Sequence, residues 1–259
     1  NKPMGPDVDT YVLARRTPGF TGADLANVVN EAALLCGRRH GDIIGMTDVN
    51  EAIDRVIAGP ERKSRLMSDR EKSITAYHES GHALVGHVLP DGDPIHKVSI
   101  VARGRALGWT LSLPTEDRQN HSRNELRSRL AMLLGGRTAE ELVFGEITTG
   151  AYDDIETATR LARRMVTEFG MSDVIGPRRL RTGDDEPFLG RDVGGPVAMS
   201  DEVAAQVDAE VKALLDEAHG SARSILEEHR ATLDLLASRL IESETLDEDA
   251  LAVIFAELG

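Results

Sequence analysis

Two histidines four residues apart, His78 and His82, enclose Glu79 in the stretch TAYHESGHALVGH. On a helix, side chains four apart project within roughly 40° of each other, so the two imidazoles can converge on one ion. Zinc takes neutral imidazole nitrogen, and a catalytic zinc keeps three protein ligands and a fourth position for water. Glu79 projects about 100° from His78, beside such an ion rather than on it, where a carboxylate can accept a proton from a metal-activated water. The spacing is that of a metal-dependent hydrolase; two satisfied histidines in a packed helix are the bland alternative. His87 projects to the far side of the helix from His82. His40, His96, His121, His219 and His229 have no partner at ligand spacing and are expected to be structural.

No third histidine follows at the HExxHxxGxxH spacing, so a carboxylate distant in the chain is expected to complete the site. TTGAYDDIETATRLARRMVTEFG offers two. If its helix runs from about Asp153, then Ala158, Leu161, Ala162, Met165 and Phe169 form the buried stripe. Asp154 falls on that stripe, and Asp153 points toward solvent. A carboxylate on an apolar face near a helix N-terminus is costly unless neutralised, and zinc and the helix dipole both favour its ionised form. Asp153 and Glu140 are the alternatives for the third position. Glu140 and Glu141, in GGRTAEELVFG, flank the apolar face of the preceding helix, where either can orient a histidine from behind or take the third position itself.

The elements that must hold these groups are mostly helical. DVDTYVLARR after Asp7, TGADLANVVNEAALL after Thr21 and TDVNEAIDRVIA after Thr47 read as short helices of a small N-terminal unit. A polar linker, GPERKSRLMSDREK, follows, and Ser68 with Glu71 forms a capping box for the helix of the histidine motif, which ends before Pro90. Glycine is a poor helix former, so Gly81 and Gly86 within that helix imply a close approach to its backbone. The run from His96 to Val101, a glycine-containing turn, and the run from Trp109 to Leu113 read as a β-hairpin. Ser122 and Glu125 open the next helix as a second capping box. A Gly-, Asp- and Pro-rich loop is expected from Gly176 to about Pro196, then further helices, the last capped by Thr245 and Glu248.

Composition agrees. Of 259 residues 41% are hydrophobic but only 3% aromatic, so the core is built from Ala, Leu, Val and Ile, which favours packed helices. A net charge of -14 argues against a nucleic-acid surface or an anionic-membrane footprint. Cys36 is the single cysteine, so an intrachain disulfide and a cysteine zinc cluster are excluded. No apolar run reaches the ~18 to 20 residues of a membrane helix.

HESGHALVGHVLP, HKVSIVARGRALGWT, LGGRTAEELVFG and TTGAYDDIETAT, in that order, resemble the peptidase domain of the FtsH family of ATP-dependent zinc metalloproteases. TPGFTGADLANVVNEAALL resembles the helical lid of that family's AAA-type ATPase module. The resemblance covers nearly the whole chain and implies a mainly α fold. Residues 1–62 would form a small helical lid subdomain, and residues 63–259 a helical zinc-peptidase domain with a small β-hairpin or sheet. It further implies a zinc site of His78, His82 and Asp154 with Glu79 as base, Glu140 supporting the ligands, and a strand at Gly108, Trp109 and Thr110 that pairs with extended substrate. One Zn2+ per chain, polypeptide substrates and a homohexamer follow from it. For the full-length protein it implies ATP and Mg2+, membrane segments and a place at the cytoplasmic face of the cell membrane. The chain itself contains no GxxxxGK[ST] loop, so it is not expected to bind and hydrolyse ATP by itself, and its nucleotide contacts are expected to be confined to lid residues such as Gly22 and Ala23. Without the family's membrane segments it is expected to be a soluble cytoplasmic fragment. Ser80 stands where the family usually has Ala, and Asp153 where it often has Asn; both project away from the ligand face. The rival reading is an inert helical hexamerisation or docking module that retains the HExxH motif.

Overall fold

The computed structural model describes residues 2–62, 67–104, 106–113, 120–180 and 199–258. Most of the expected loop at 176–196 and part of the linker lie outside the described residues. The fold is mainly α with one small antiparallel sheet, as composition requires. By contact the chain divides into two units, one drawn from Asn1–Glu79, Asp93–Gln119 and Leu235–Gly259, the other from Ser80–Gly92 and Asn120–Asp234. Among the described residues no helix is long and apolar enough to cross a membrane.

The first unit opens with α1 (Thr10–Arg15), α2 (Gly22–Arg38) and α3 (Met46–Ala58). Thr21 caps α2 in a reciprocal box with Asp24. Val28, Ala32 and Cys36 on α2 and Val49, Ala52 and Ile53 on α3 are buried together, the period-3.6 stripe that the sequence carries. Two expected caps are corrected. Asp9, not Asp7, caps α1, and α3 begins at Met46 rather than after Thr47. The carboxylate of Asp7 instead accepts the Met46 N–H at 2.7 Å, and Asp48 accepts that of Gly45 at 2.9 Å. A partner 39 residues away supplies the cap, which no local signature announces.

α4 (Asp69–Val88) starts at the Ser68 and Glu71 capping box and carries the histidine motif. β1 (Ile95–Ser99) and β2 (Trp109–Ser112) pair antiparallel, Val98 opposite Thr110, with a register irregularity at His96. A third strand, β3 (Thr245–Asp247), pairs antiparallel with β1 and gives the order β2-β1-β3. This corrects the last cap: Thr245 is a strand residue whose hydroxyl meets that of Ser99 at 2.8 Å, and Asp247 caps α9 (Glu248–Phe255).

The helix α3 is bound to the chain around β1 through charge. Asp54 is buried and pairs with Lys97 on β1 and with Arg16. Arg103, also buried, gives two hydrogen bonds to Glu51, at 2.8 and 3.1 Å. Burial by itself would raise the Glu51 carboxyl, but the hydrogen bonds and charge of Arg103, with Arg55 and Lys97 beyond, hold it below its ordinary 4.5. A carboxyl lowered on folding stabilises above its unfolded value, and that contribution is lost as pH falls through the folded value. Glu51→Gln should therefore destabilise the protein at pH 7 by about 1–3 kcal/mol, less than a fully buried pair because Glu51 is about a third exposed. It should also flatten the acid limb of stability below about pH 4.5; urea melts of both proteins from pH 7 to 3 check this.

The second unit is a helical layer. α5 (Arg123–Phe144), opened by the Ser122 and Glu125 box, packs on α6 (Tyr152–Thr167) and on α7 (Asp201–Glu228), and α6 packs on α7. α8 (Arg230–Ser243) follows. On α6 the buried residues are Ala158, Ala162, Met165, Val166 and Thr167, with Leu161 half-buried. Phe169 departs from the expected stripe: it lies beyond the helix end, exposed, with the Arg164 guanidinium 4.9 Å over its ring.

Candidate metal centre

His78 and His82 are one turn apart on α4, and with Glu79 between them each is less than a tenth exposed. His78, His82 and Asp154 each offer one ligand atom, and these atoms lie within 4.8 Å of one another. Asp153, Glu140 and Glu141 do not join that group among the described residues. Asp154 sits in the first turn of α6, half-buried, whereas its neighbour Asp153 is exposed.

The donors suit zinc. A tetrahedral ion with ligands at about 2.0–2.2 Å holds neighbouring ligand atoms roughly 3.3–3.6 Å apart. His82 Nε2 and Asp154 Oδ2 are 3.4 Å apart. His82 Nδ1 lies 2.8 Å from the carbonyl oxygen of Met132 on α5. A carbonyl only accepts, so Nδ1 carries the proton and Nε2 presents its lone pair on the side of Asp154. This backing bond fixes ring orientation and tautomer together.

Glycine makes that bond reachable. A Cβ on Gly81 would sit 2.4 Å from the carbonyl oxygen of Gly135, and one on Gly135 would sit 2.7 Å from that of Gly81. α4 and α5 therefore touch backbone to backbone one residue before His82. Sequence reasoning flagged Gly81 for a close approach but passed over Gly135 and Gly136, whose presence in mid-helix was the available signal for the other side of the contact.

Glu140 is 1% exposed and accepts the Thr148 N–H at 2.8 Å. Thr148 in turn accepts the Gly150 N–H and caps the 3-10 turn Thr149–Ala151 that leads into α6. Glu140 thus anchors the loop that delivers Asp154. Glu141 faces α7, where His219 and Arg223 each approach it to 3.4 Å.

Gly108, Trp109 and Thr110 enter or lie on β2. The Thr110 hydroxyl is 2.7 Å from Glu79 Oε2. Gly22 and Ala23 form the first turn of α2. His87 is exposed, and His96 pairs with Glu248 at 3.0 Å.

Ser80 is fully buried and its hydroxyl has no hydrogen-bond partner among the described residues. An unsatisfied buried hydroxyl costs about 1–3 kcal/mol, and alanine is the better helix former. Ser80→Ala is expected to raise stability by about 1 kcal/mol, a few degrees in Tm, with zinc content unchanged; calorimetry and metal analysis check both.

Residues 65–254 match the model of peptidase family M41, and residues 7–51 match that of the AAA+ lid domain. Among curated proteins, the ATP-dependent zinc metalloprotease FtsH of Rubrobacter xylanophilus is 56% identical over 99% of this chain and 39% of its own length. FtsH 3 of Symbiobacterium thermophilum is 55% identical over 99% of this chain and 41% of its own. FtsH of Kosmotoga olearia is 56% identical over 100% and 40%, respectively. The chain spans about two fifths of the length of the curated relatives it matches.

Proposed function

Because the chain belongs to peptidase family M41 and carries an AAA+ lid domain ahead of the peptidase, we propose that it is a zinc endopeptidase that cleaves unfolded polypeptide chains. The observation that carries the reading is the 3.4 Å approach of His82 Nε2 to Asp154 Oδ2, with Nδ1 held on the Met132 carbonyl. His78, His82 and Asp154 would hold the ion. When bound, zinc supplies a Lewis acid that polarises a peptide carbonyl and acidifies water. The Glu79 carboxylate takes the proton of the attacking water and returns it to the amide nitrogen that leaves. Glu140 keeps Asp154 in place by holding the loop before α6.

Substrate enters as a strand. In the order β2-β1-β3 the outer edge of β2 has no strand beside it among the described residues, so an extended chain can pair there at Gly108, Trp109 and Thr110. Main-chain hydrogen bonds are indifferent to side chains, which suits cleavage of many sequences.

We assign residues 1–62 to the lid and 63–259 to the peptidase; the two family matches and the buried cluster shared by α2 and α3 support that division. The relatives' names state ATP dependence, and their additional length is where we place an ATPase core using ATP and Mg2+ and an anchor to the cytoplasmic face of the cell membrane. The working form is a homohexamer around enclosed peptidase sites.

Metal analysis with a cleavage assay tests the reading. One zinc per chain, hydrolysis of unfolded casein, loss with a chelator and recovery with zinc are expected. A metal-free, inert hexamer would instead make the chain a docking module, and zinc whose removal unfolds the protein without activity ever appearing would make the site structural.

A further inference from the structure

We infer that Thr110 is a positioning residue for the Glu79 carboxylate, so that the strand which receives substrate along its edge also sets the base from its face. The inference rests on Glu79 being the base. An ionised carboxylate has no proton to give, so in the 2.7 Å contact with Glu79 Oε2 the Thr110 hydroxyl donates. A hydroxyl carries one hydrogen, so its 3.3 Å approach to the Glu79 carbonyl oxygen is the weaker of its two contacts.

Gly108 lies two residues before Thr110, immediately ahead of β2. A Cβ there would fall 2.7 Å from Glu79 Oε1, 2.8 Å from its Cγ and 2.9 Å from the carbonyl oxygen of Ser99. One strand therefore meets both carboxylate oxygens, with bare backbone against Oε1 and a hydroxyl on Oε2. The intervening Trp109 points to the opposite face, where the Lys97 ammonium lies 5.5 Å from its ring and pairs with the buried Asp54. That side is anchored, which keeps the strand from rolling away from Glu79.

Strand addition uses N–H and C=O groups in the plane of the sheet, while the Thr110 hydroxyl leaves that plane, so the two tasks do not compete. A peptide paired with β2 is held in register by the same residues that orient the base. Thr110 then affects turnover rather than binding.

The test compares Thr110→Val, Thr110→Ser, Gly108→Ala and Glu79→Gln in the zinc-loaded protein, on a short fluorogenic peptide. Thr110→Val should lower kcat by about 10- to 100-fold, the worth of one hydrogen bond to a charged group, with KM within about twofold and one zinc per chain. Thr110→Ser, which keeps the hydroxyl, should restore most of the rate, and Gly108→Ala should lower kcat by displacing the carboxylate. A crystal structure of Thr110→Val should show the Glu79 carboxylate rotated. Unchanged kcat, a loss carried by KM, loss of zinc, or an unmoved carboxylate would each overturn the inference. Should the valine protein not fold, Thr110→Ala carries the same comparison. Hydrolysis surviving in Glu79→Gln would overturn the assignment of the base itself, which separates that failure from this one.

Discussion

Glu79→Gln is expected to retain one zinc per chain and to lose peptide hydrolysis by about 10²- to 10⁴-fold, the range contributed by a positioned general base. The substitution preserves shape: the amide oxygen can still accept the Thr110 hydroxyl, and the buried site gains no void. It removes the negative charge and the capacity to take a proton, and turns one acceptor oxygen into an N–H donor. Glu79 is not among the grouped candidate ligand atoms, its side chain projects about 100° from that of His78, and the His82 ring is held from behind by Met132. Metal analysis together with kcat on the same preparation checks the result. Loss of zinc in step with loss of rate would instead make Glu79 a ligand or a structural support.

Asp154→Ala is expected to lower zinc affinity by more than about 100-fold, beyond the effect of losing a group behind a ligand, and to bring hydrolysis to background. The fold should persist, because α6 is held by the burial of Ala158, Ala162, Met165 and Val166. Removing a carboxylate from the first turn of a helix costs only about 0.3–1 kcal/mol of dipole interaction. Asp153→Ala is the control: it takes the same charge from the same turn, but from an exposed position outside the ligand group. Zinc titration against a competing chelator reads the difference. Equal effects of the two substitutions would mean that field, not ligation, is what Asp154 provides.

Much of this was legible locally, for a reason that holds residue by residue. Capping boxes at Ser68 and Ser122 and the helix start after Thr21 are read within four residues, and each opens the helix expected of it. The stripe of α6 follows from the 3.6-residue period, which puts Asp154 on the side of Ala158 and Ala162 and Asp153 outside it. Where the partner lay far away, local reading failed. Asp7, expected to open α1, instead caps α3, and Thr245, expected to cap a helix, instead completes a sheet. Phe169 is a different case: α6 stops at Thr167, two residues short of it, and its ring meets the nearby Arg164.

By itself, then, the sequence determined the classes of residue and their local faces: a pair of histidines one turn apart with a glutamate between, a downstream aspartate on an apolar face, and a mainly helical chain around them. Periodicity and capping depend on neighbours within a turn or two, so they survive in one dimension. Only the tertiary structure decided what backs and aims those groups. The Met132 carbonyl behind His82, the glycine contact that lets α4 reach α5, the Glu140 hold on the loop before Asp154, and the Thr110 hydroxyl on Glu79 join residues from 8 to 54 positions apart. Such contacts are set by which surfaces meet when the core closes, and a hydrogen bond of a few tenths of an ångström tolerance leaves no periodic trace in the chain.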